Sequence, residues 1–156
     1  LKMEVMMCNF ISKDMILVKQ NCNSRKEVLN LLAVQGVKLK LGVDKSSVKQ
    51  AFYDREKEGI TGLENGFAIP HAKCSAIKRA GIVLIKLLNP IEWPTFDDTL
   101  VDIIIGLYVP KKEAGTTHIK LLSKVALLLM DEESQNFIRA TNDPVLLANY
   151  FNEQFD

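Results

Sequence analysis

Val101-Asp102-Ile103-Ile104-Ile105-Gly106-Leu107-Tyr108-Val109 is nearly continuously apolar and stops at Pro110. A strand apolar on both sides belongs in the centre of a sheet with both faces covered. Working outward, Gly81 to Leu88 is rich in Ile, Val and Leu and reads as a second strand. Ile91 to Trp93, set between two prolines, reads as a short edge strand. Met15 to Val18 and Phe67 to Ile69 read as further short strands.

The helical segments carry their own boundary marks. Ser24 followed by Glu27 is a capping box, in which the hydroxyl takes an orphan N–H and the carboxylate reaches back. Val28, Leu31, Leu32 and Val37 follow with mostly helical spacing, and Gly36 marks the expected helix end. Asp44 caps a second helix with Val48, Ala51 and Phe52 on one face; Asp54 to Glu58 finishes it and Gly59 stops it. After the central strand, Lys111 to Gly115 is a polar loop. Thr116 or Thr117 then caps a long helix to Met130. Asp131, Glu132 and Glu133 open another helix, their charges matching the positive end of its dipole. Asp143-Pro144 pairs an N-cap with a proline at the first helical position, and this last helix is expected to run to about Phe151. The order is one strand, two helices, several strands, then three helices. It predicts an α/β fold with α+β-like character: one three-layer domain with a central mixed β-sheet and helices on both faces.

Composition narrows the function. A chain of 156 residues fits one domain spanning 1–156. It is 47% apolar and 25% charged, as globular proteins are. A net charge of +1 implies neither a nucleic-acid tail nor a polybasic membrane patch. Cys8, Cys22 and Cys74 form no CxxC pair and no disulfide pattern, which suits a reducing, cytoplasmic setting. No apolar run reaches the length of a membrane span. Leu1 to Met7 is apolar but short, carries Lys2 and Glu4, and lacks the core of a signal peptide.

The candidate chemistry lies in Thr61-Gly62-Leu63-Glu64-Asn65-Gly66-Phe67-Ala68-Ile69-Pro70-His71, which holds one of only two histidines. Pro70 restricts Ile69 to an extended conformation. The imidazole is therefore expected just past a strand, where open α/β sheets place their sites. Gly62 and Gly66 are expected to let a turn approach the ring, and Asn65 to serve that turn. A single further histidine and no cysteine pair argue against a metal centre. Cys74 lies three residues from His71 with no evident orienting acid, so a Cys–His nucleophile is the weaker reading, and the absence of GxxxxGK[ST] excludes a P-loop. His118 falls in the first turn of the long helix, after Thr116-Thr117. It reads as a capping or exposed residue, or as a donor to an anion at a helix N-terminus. Two histidines at an anion site suit phosphoryl transfer through a phosphohistidine.

Three segments resemble the enzyme IIA domain of the fructose/mannitol class of the bacterial phosphoenolpyruvate-dependent sugar phosphotransferase system. They are Arg55-Glu56 leading through Thr61-Gly62 to Gly66-Phe67-Ala68-Ile69-Pro70-His71-Ala72; Ile91-Glu92-Trp93 with Asp97 or Asp98 and the strand to Val109-Pro110; and His118-Ile119-Lys120-Leu121-Leu122-Ser123 through Met130-Asp131-Glu132. The match spans about residues 15–153. Phe67 stands where the family usually has a smaller aliphatic residue. The resemblance implies that His71 accepts a phosphoryl group from the phosphocarrier HPr, as a tele-phosphohistidine. His71 then passes it to a cysteine of an enzyme IIB domain, with the membrane enzyme IIC downstream. It implies no metal and no cofactor. It gives His118 the role of steadying the phosphoryl oxygens. Arg55 would offset their charge or, in the plainer reading, pair with Glu58 or Asp54. Thr61 would position His71 or the phosphoryl group by its hydroxyl, or simply serve the turn. A modest, partly apolar docking patch around His71 is expected, with Phe67 a candidate member. Cys74 does not match the phosphocysteine, which belongs to the IIB partner. A free-standing IIA protein and a piece of a longer one are both compatible with these residues, as are a fructose-type transport role and a regulatory role.

Overall fold

The structure, a computed structural model, describes residues 11–155 apart from residue 114; the side chains of residues 113, 117 and 118 also lie outside the described residues. The elements in chain order are β1 (Ile16–Gln20), α1 (Arg25–Lys38), α2 (Lys45–Glu58), β2 (Phe67–Ala68), β3 (His71–Cys74), β4 (Gly81–Ile91), β5 (Val101–Pro110), α3 (Thr117–Met130), α4 (Glu132–Ala140) and α5 (Pro144–Phe155). Among the described residues no helix is long and apolar enough to cross a membrane.

β5 sits inside a mixed five-stranded sheet of order β1-β4-β5-β2, with β3 also paired to β5. β4 runs antiparallel to β5 and parallel to β1. β2 and β3 are both parallel to β5. Phe67 sits opposite Ile103 and His71 opposite Leu107, so the two segments hold one continuous register. They are one strand interrupted at Ile69-Pro70. Proline has no N–H to give the ladder, and the Ile69 N–H turns away to Thr61 O at 2.9 Å. His71 therefore opens a strand rather than following one, which corrects the expectation from sequence. Ile91 to Trp93 is not a separate edge strand either: β4 continues through an irregularity after Lys86 to Ile91.

The pleat of β5 divides the core. Ile103, Ile105 and Leu107 pack with Leu121, Val125, Leu129, Ile138 and Phe151 of α3–α5. Ile104 and Tyr108 pack with Val28, Leu32, Val48 and Phe52 of α1 and α2. Alternate residues of a strand face opposite sides, so one apolar run supplies both layers. Gly36 does not end α1, which continues to Lys38. A Cβ there would lie 2.6 Å from the Tyr108 ring, so glycine permits the ring to press against the helix backbone. The caps form where expected. Ser24 accepts from the Glu27 N–H, Asp44 from Ser47, Asp131 from Ser134 and Asp143 from Val145. Thr116 occupies the N-cap of α3, but its hydroxyl makes no capping bond.

Candidate functional site

His71 is 6% exposed and lines a groove of about 450 Å³ between α2 and β3. The helix side of the groove is Ser47, Gln50, Ala51, Asp54, Arg55 and Glu58. Both ring nitrogens have defined contacts. His71 Nδ1 lies 2.9 Å from the carbonyl oxygen of Ile69. A carbonyl only accepts, so Nδ1 carries the proton and donates. Arg55 Nε donates to His71 Nε2 at 2.8 Å. Guanidinium only donates, so in the neutral ring Nε2 holds the lone pair. The two contacts agree on one tautomer, assigned here from the hydrogen-bond network.

The last turn of α2 supplies this geometry. Arg55 also donates to Gly59 O at 3.2 Å and lies 3.9 Å from Glu58, whose side chain is largely exposed. The plainer reading of Arg55, an ion pair with Glu58, is seen, a contact of little energetic weight at such exposure; its contact with the His71 ring comes in addition. Its neighbour Glu56 turns inward. The Glu56 side chain is 5% exposed, with Arg25 Nη1 at 3.3 Å from one carboxylate oxygen. Thr61 Oγ1 donates to the other at 2.6 Å. Burial pushes the Glu56 carboxyl above its ordinary range, against the Thr61 hydrogen bond and the charges of Arg25 and Arg55, which pull it down.

Thr61 does not point its hydroxyl at His71. That hydroxyl is taken by Glu56 and by Trp93 Nε1, which donates to it at 3.2 Å; Thr61 acts on the site through its backbone carbonyl, bonded to Ile69 N–H. Gly62 and Gly66 also depart from expectation. Gly62 backs onto Pro94, where a Cβ would lie 2.2 Å from the carbonyl oxygen. Gly66, at φ +87°, faces Arg139 and Asp102 rather than the ring. Asn65 does serve the turn, in the left-handed region at φ +59°. Phe67 cannot join a docking patch: it is 1% exposed beneath the Arg139 guanidinium, 5.3 Å from its centroid. The larger aromatic fits because it turns into the α3–α5 layer. Cys74 is a free thiol on the groove wall. The His118 side chain, the second histidine singled out from sequence, lies outside the described residues. Sequence reading missed Glu56 as a site member. The signal was an acidic residue directly after Arg55 and five before Thr61, in a stretch read only as the charged end of a helix.

With this geometry in place, comparison defines the class. Residues 9–154 match the family model described as phosphoenolpyruvate-dependent sugar phosphotransferase system, EIIA 2, and the chain belongs to that family. It is 31% identical over 133 residues to the 2-O-alpha-mannosyl-D-glycerate-specific EIIABC component of Escherichia coli, covering 85% of this chain but only 20% of that protein. It is also 31% identical over 135 residues to the nitrogen regulatory protein of Bradyrhizobium diazoefficiens, covering 86% of this chain and 87% of that one. Among solved structures, nitrogen regulatory protein IIA-Ntr from Neisseria meningitidis superposes with a TM-score of 0.85 at 22% identity, covering 94% of this chain and 99% of that chain. IIA mannitol from Escherichia coli does so with a TM-score of 0.72 at 22% identity, covering 89% and 98%. Domains of this family are phosphotransfer components, and the chain is one of them.

Proposed function

We propose that this domain is a cytoplasmic phosphocarrier in sugar uptake, with His71 Nε2 as the phosphoryl acceptor, HPr as donor and a cysteine of an enzyme IIB domain as recipient. The observation that carries the reading is the doubly held imidazole. Ile69 O keeps the proton on Nδ1, so the lone pair is on Nε2, beside the groove. In the forward step that lone pair attacks phosphorus, the bond from phosphorus to the donor breaks, and the donor keeps the bonding pair. The proton stays on Nδ1, and its hydrogen bond to the Ile69 carbonyl stabilises the positive charge that the ring gains. Arg55 Nε must leave Nε2 before phosphorus can approach, and its guanidinium is then free to pair with the equatorial oxygens. Transfer through a loose transition state needs this kind of positioning and charge stabilisation. In the second step a partner thiolate attacks phosphorus and Nε2 leaves with its lone pair restored. His118 is assigned to steady the phosphoryl oxygens on the strength of the family resemblance.

A fructose-type uptake system is the preferred label. The multidomain mannosylglycerate component and a solved complex of enzyme IIA mannitol with phosphorylated IIB mannitol support delivery to a IIB domain. A second reading, in which His71 phosphorylation is a regulatory signal to a kinase or transcription factor, is favoured by the nitrogen regulatory relatives, which match along most of their length. Phosphotransfer from labelled phospho-HPr, then to candidate IIB domains, tests both. The expected result is one phosphoryl group, mapped to His71, that discharges to a IIB cysteine. Label on another residue sinks the His71 assignment. Label on His71 that no IIB domain removes replaces the transport reading with the regulatory one.

A further inference from the structure

The α2 end presents two consecutive side chains that diverge. Arg55 reaches Nε2 of His71 directly. Glu56 reaches the opposite side of the ring through a chain of hydrogen bonds whose directions are forced. Trp93 Nε1 can only donate, so the Thr61 oxygen accepts from it and the Thr61 hydroxyl proton goes to Glu56. Thr61 O accepts from Ile69 N at 2.9 Å, and Ile69 O accepts from His71 Nδ1 at 2.9 Å. Every side chain between the helix and the ring is enclosed: Thr61 is 3% and Trp93 5% exposed.

We propose that Glu56 is a positioning residue for His71: by holding Thr61, it sets the Ile69 carbonyl that keeps the proton on Nδ1 and the lone pair on Nε2. The inference rests on His71 being the phosphoryl acceptor. A plain structural role for Glu56 is a poor account of the site. The ion pair with Arg25, whose side chain is 39% exposed, adds little stability, whereas a carboxylate aimed at one hydroxyl imposes a direction that packing does not. An imidazole without a fixed Nδ1 acceptor exchanges between tautomers, and only one of them leaves Nε2 able to attack.

The test is the tautomer itself, read from long-range nitrogen–proton spectra of the full chain with labelled histidine. The chain has only two histidines, and a His118→Ala variant assigns the signals. The unmodified protein should show His71 with its proton on Nδ1 alone. In Glu56→Ala the ring should move toward a mixture, and the rate of phosphoryl acceptance from phospho-HPr should fall about ten- to a hundredfold, the scale expected for a misplaced reacting group. Glu56→Gln keeps an acceptor for the Thr61 hydroxyl and should keep the tautomer. Thr61→Val removes the same link with little change of shape and should reproduce the alanine variant, even if Glu56→Ala fails to fold. A folded Glu56→Ala or Thr61→Val protein with the unmodified tautomer and rate overturns the proposal, as does a Glu56→Gln protein that loses the tautomer. The spectra need no donor. Unmodified protein that accepts nothing from phospho-HPr therefore refutes the phosphocarrier reading and leaves the spectra to decide the role of Glu56.

Discussion

Among the described residues, Lys86 and the side chain of Glu56 are charged groups turned inward, and they are held in different ways. Lys86, on β4, gives its ammonium to the carbonyls of Ile138 at 2.6 Å, Arg139 at 3.0 Å and Thr141 at 2.6 Å. Those groups are the open C-terminus of α4, where a cation meets both orphan acceptors and the negative end of the dipole. Burial and the nearby Arg139 charge lower the Lys86 pKa, with Asp102 pulling the other way. Glu56 is held by side chains instead, and one of them continues by backbone hydrogen bonds to the His71 ring. Burial alone is therefore no sign of function. What distinguishes the two charges is where their hydrogen-bond chains end.

That contrast can be broken by substitution. The largest effect should come from Lys86→Met, which leaves the carbonyls of Ile138, Arg139 and Thr141 at the end of α4 without this donor. A loss of about 3 kcal/mol is expected in urea unfolding, given the penalty for unsatisfied buried groups, while phosphoryl transfer per folded molecule stays unchanged. Arg55→Ala should show the reverse pattern. Acceptance by His71 should slow roughly thirtyfold, about 2 kcal/mol, as a charge-stabilising donor is lost, with little change in unfolding midpoint because the side chain is partly exposed. Equal losses in both assays for either variant would erase the distinction. Gly36→Ala serves as a control with the Lys86 signature. Its methyl would press on Tyr108 and should lower stability by about 1–2 kcal/mol, within the range for overpacking, without altering the rate of transfer by folded protein.

The smallest effect is a matter of pH. The folded pKa of Glu56 is raised by burial above its unfolded value. Between the two pKa values the folded state binds more protons than the unfolded state, so the slope of stability against pH is negative there. The contribution of Glu56 is therefore gained as pH falls through the folded pKa and is complete below the unfolded one, near 4.5. Glu56→Gln should remove that acid-side gain. Urea unfolding across a mildly acidic pH series that shows the same slope in both proteins would mean the carboxyl is not held in the way described.

Much of the frame was legible from local signals. The apolar run of β5, the Ser24–Glu27 box, Asp44, and the Asp143-Pro144 start of α5 depend on neighbours within a few residues, and each appears as read. The misreadings share the opposite property. Gly36 looks like a helix stop until Tyr108, far along the chain, presses against it. Phe67 looks like a surface aromatic until the α3–α5 layer covers it. The Thr61 hydroxyl looks aimed at His71 until Glu56 and Trp93 claim it.

By itself, the sequence determined that a mixed sheet would be covered on both faces and that His71 would be displayed next to a proline. Periodicity, capping and proline chemistry act over one or two turns of chain. Only the tertiary structure decided which ring nitrogen bears the lone pair. That outcome needs Arg55, sixteen residues away, on one side of the ring and the Glu56-held Ile69 carbonyl on the other. Hydrogen-bond direction of this kind exists only once α2, the 61–69 loop and β3 have packed together.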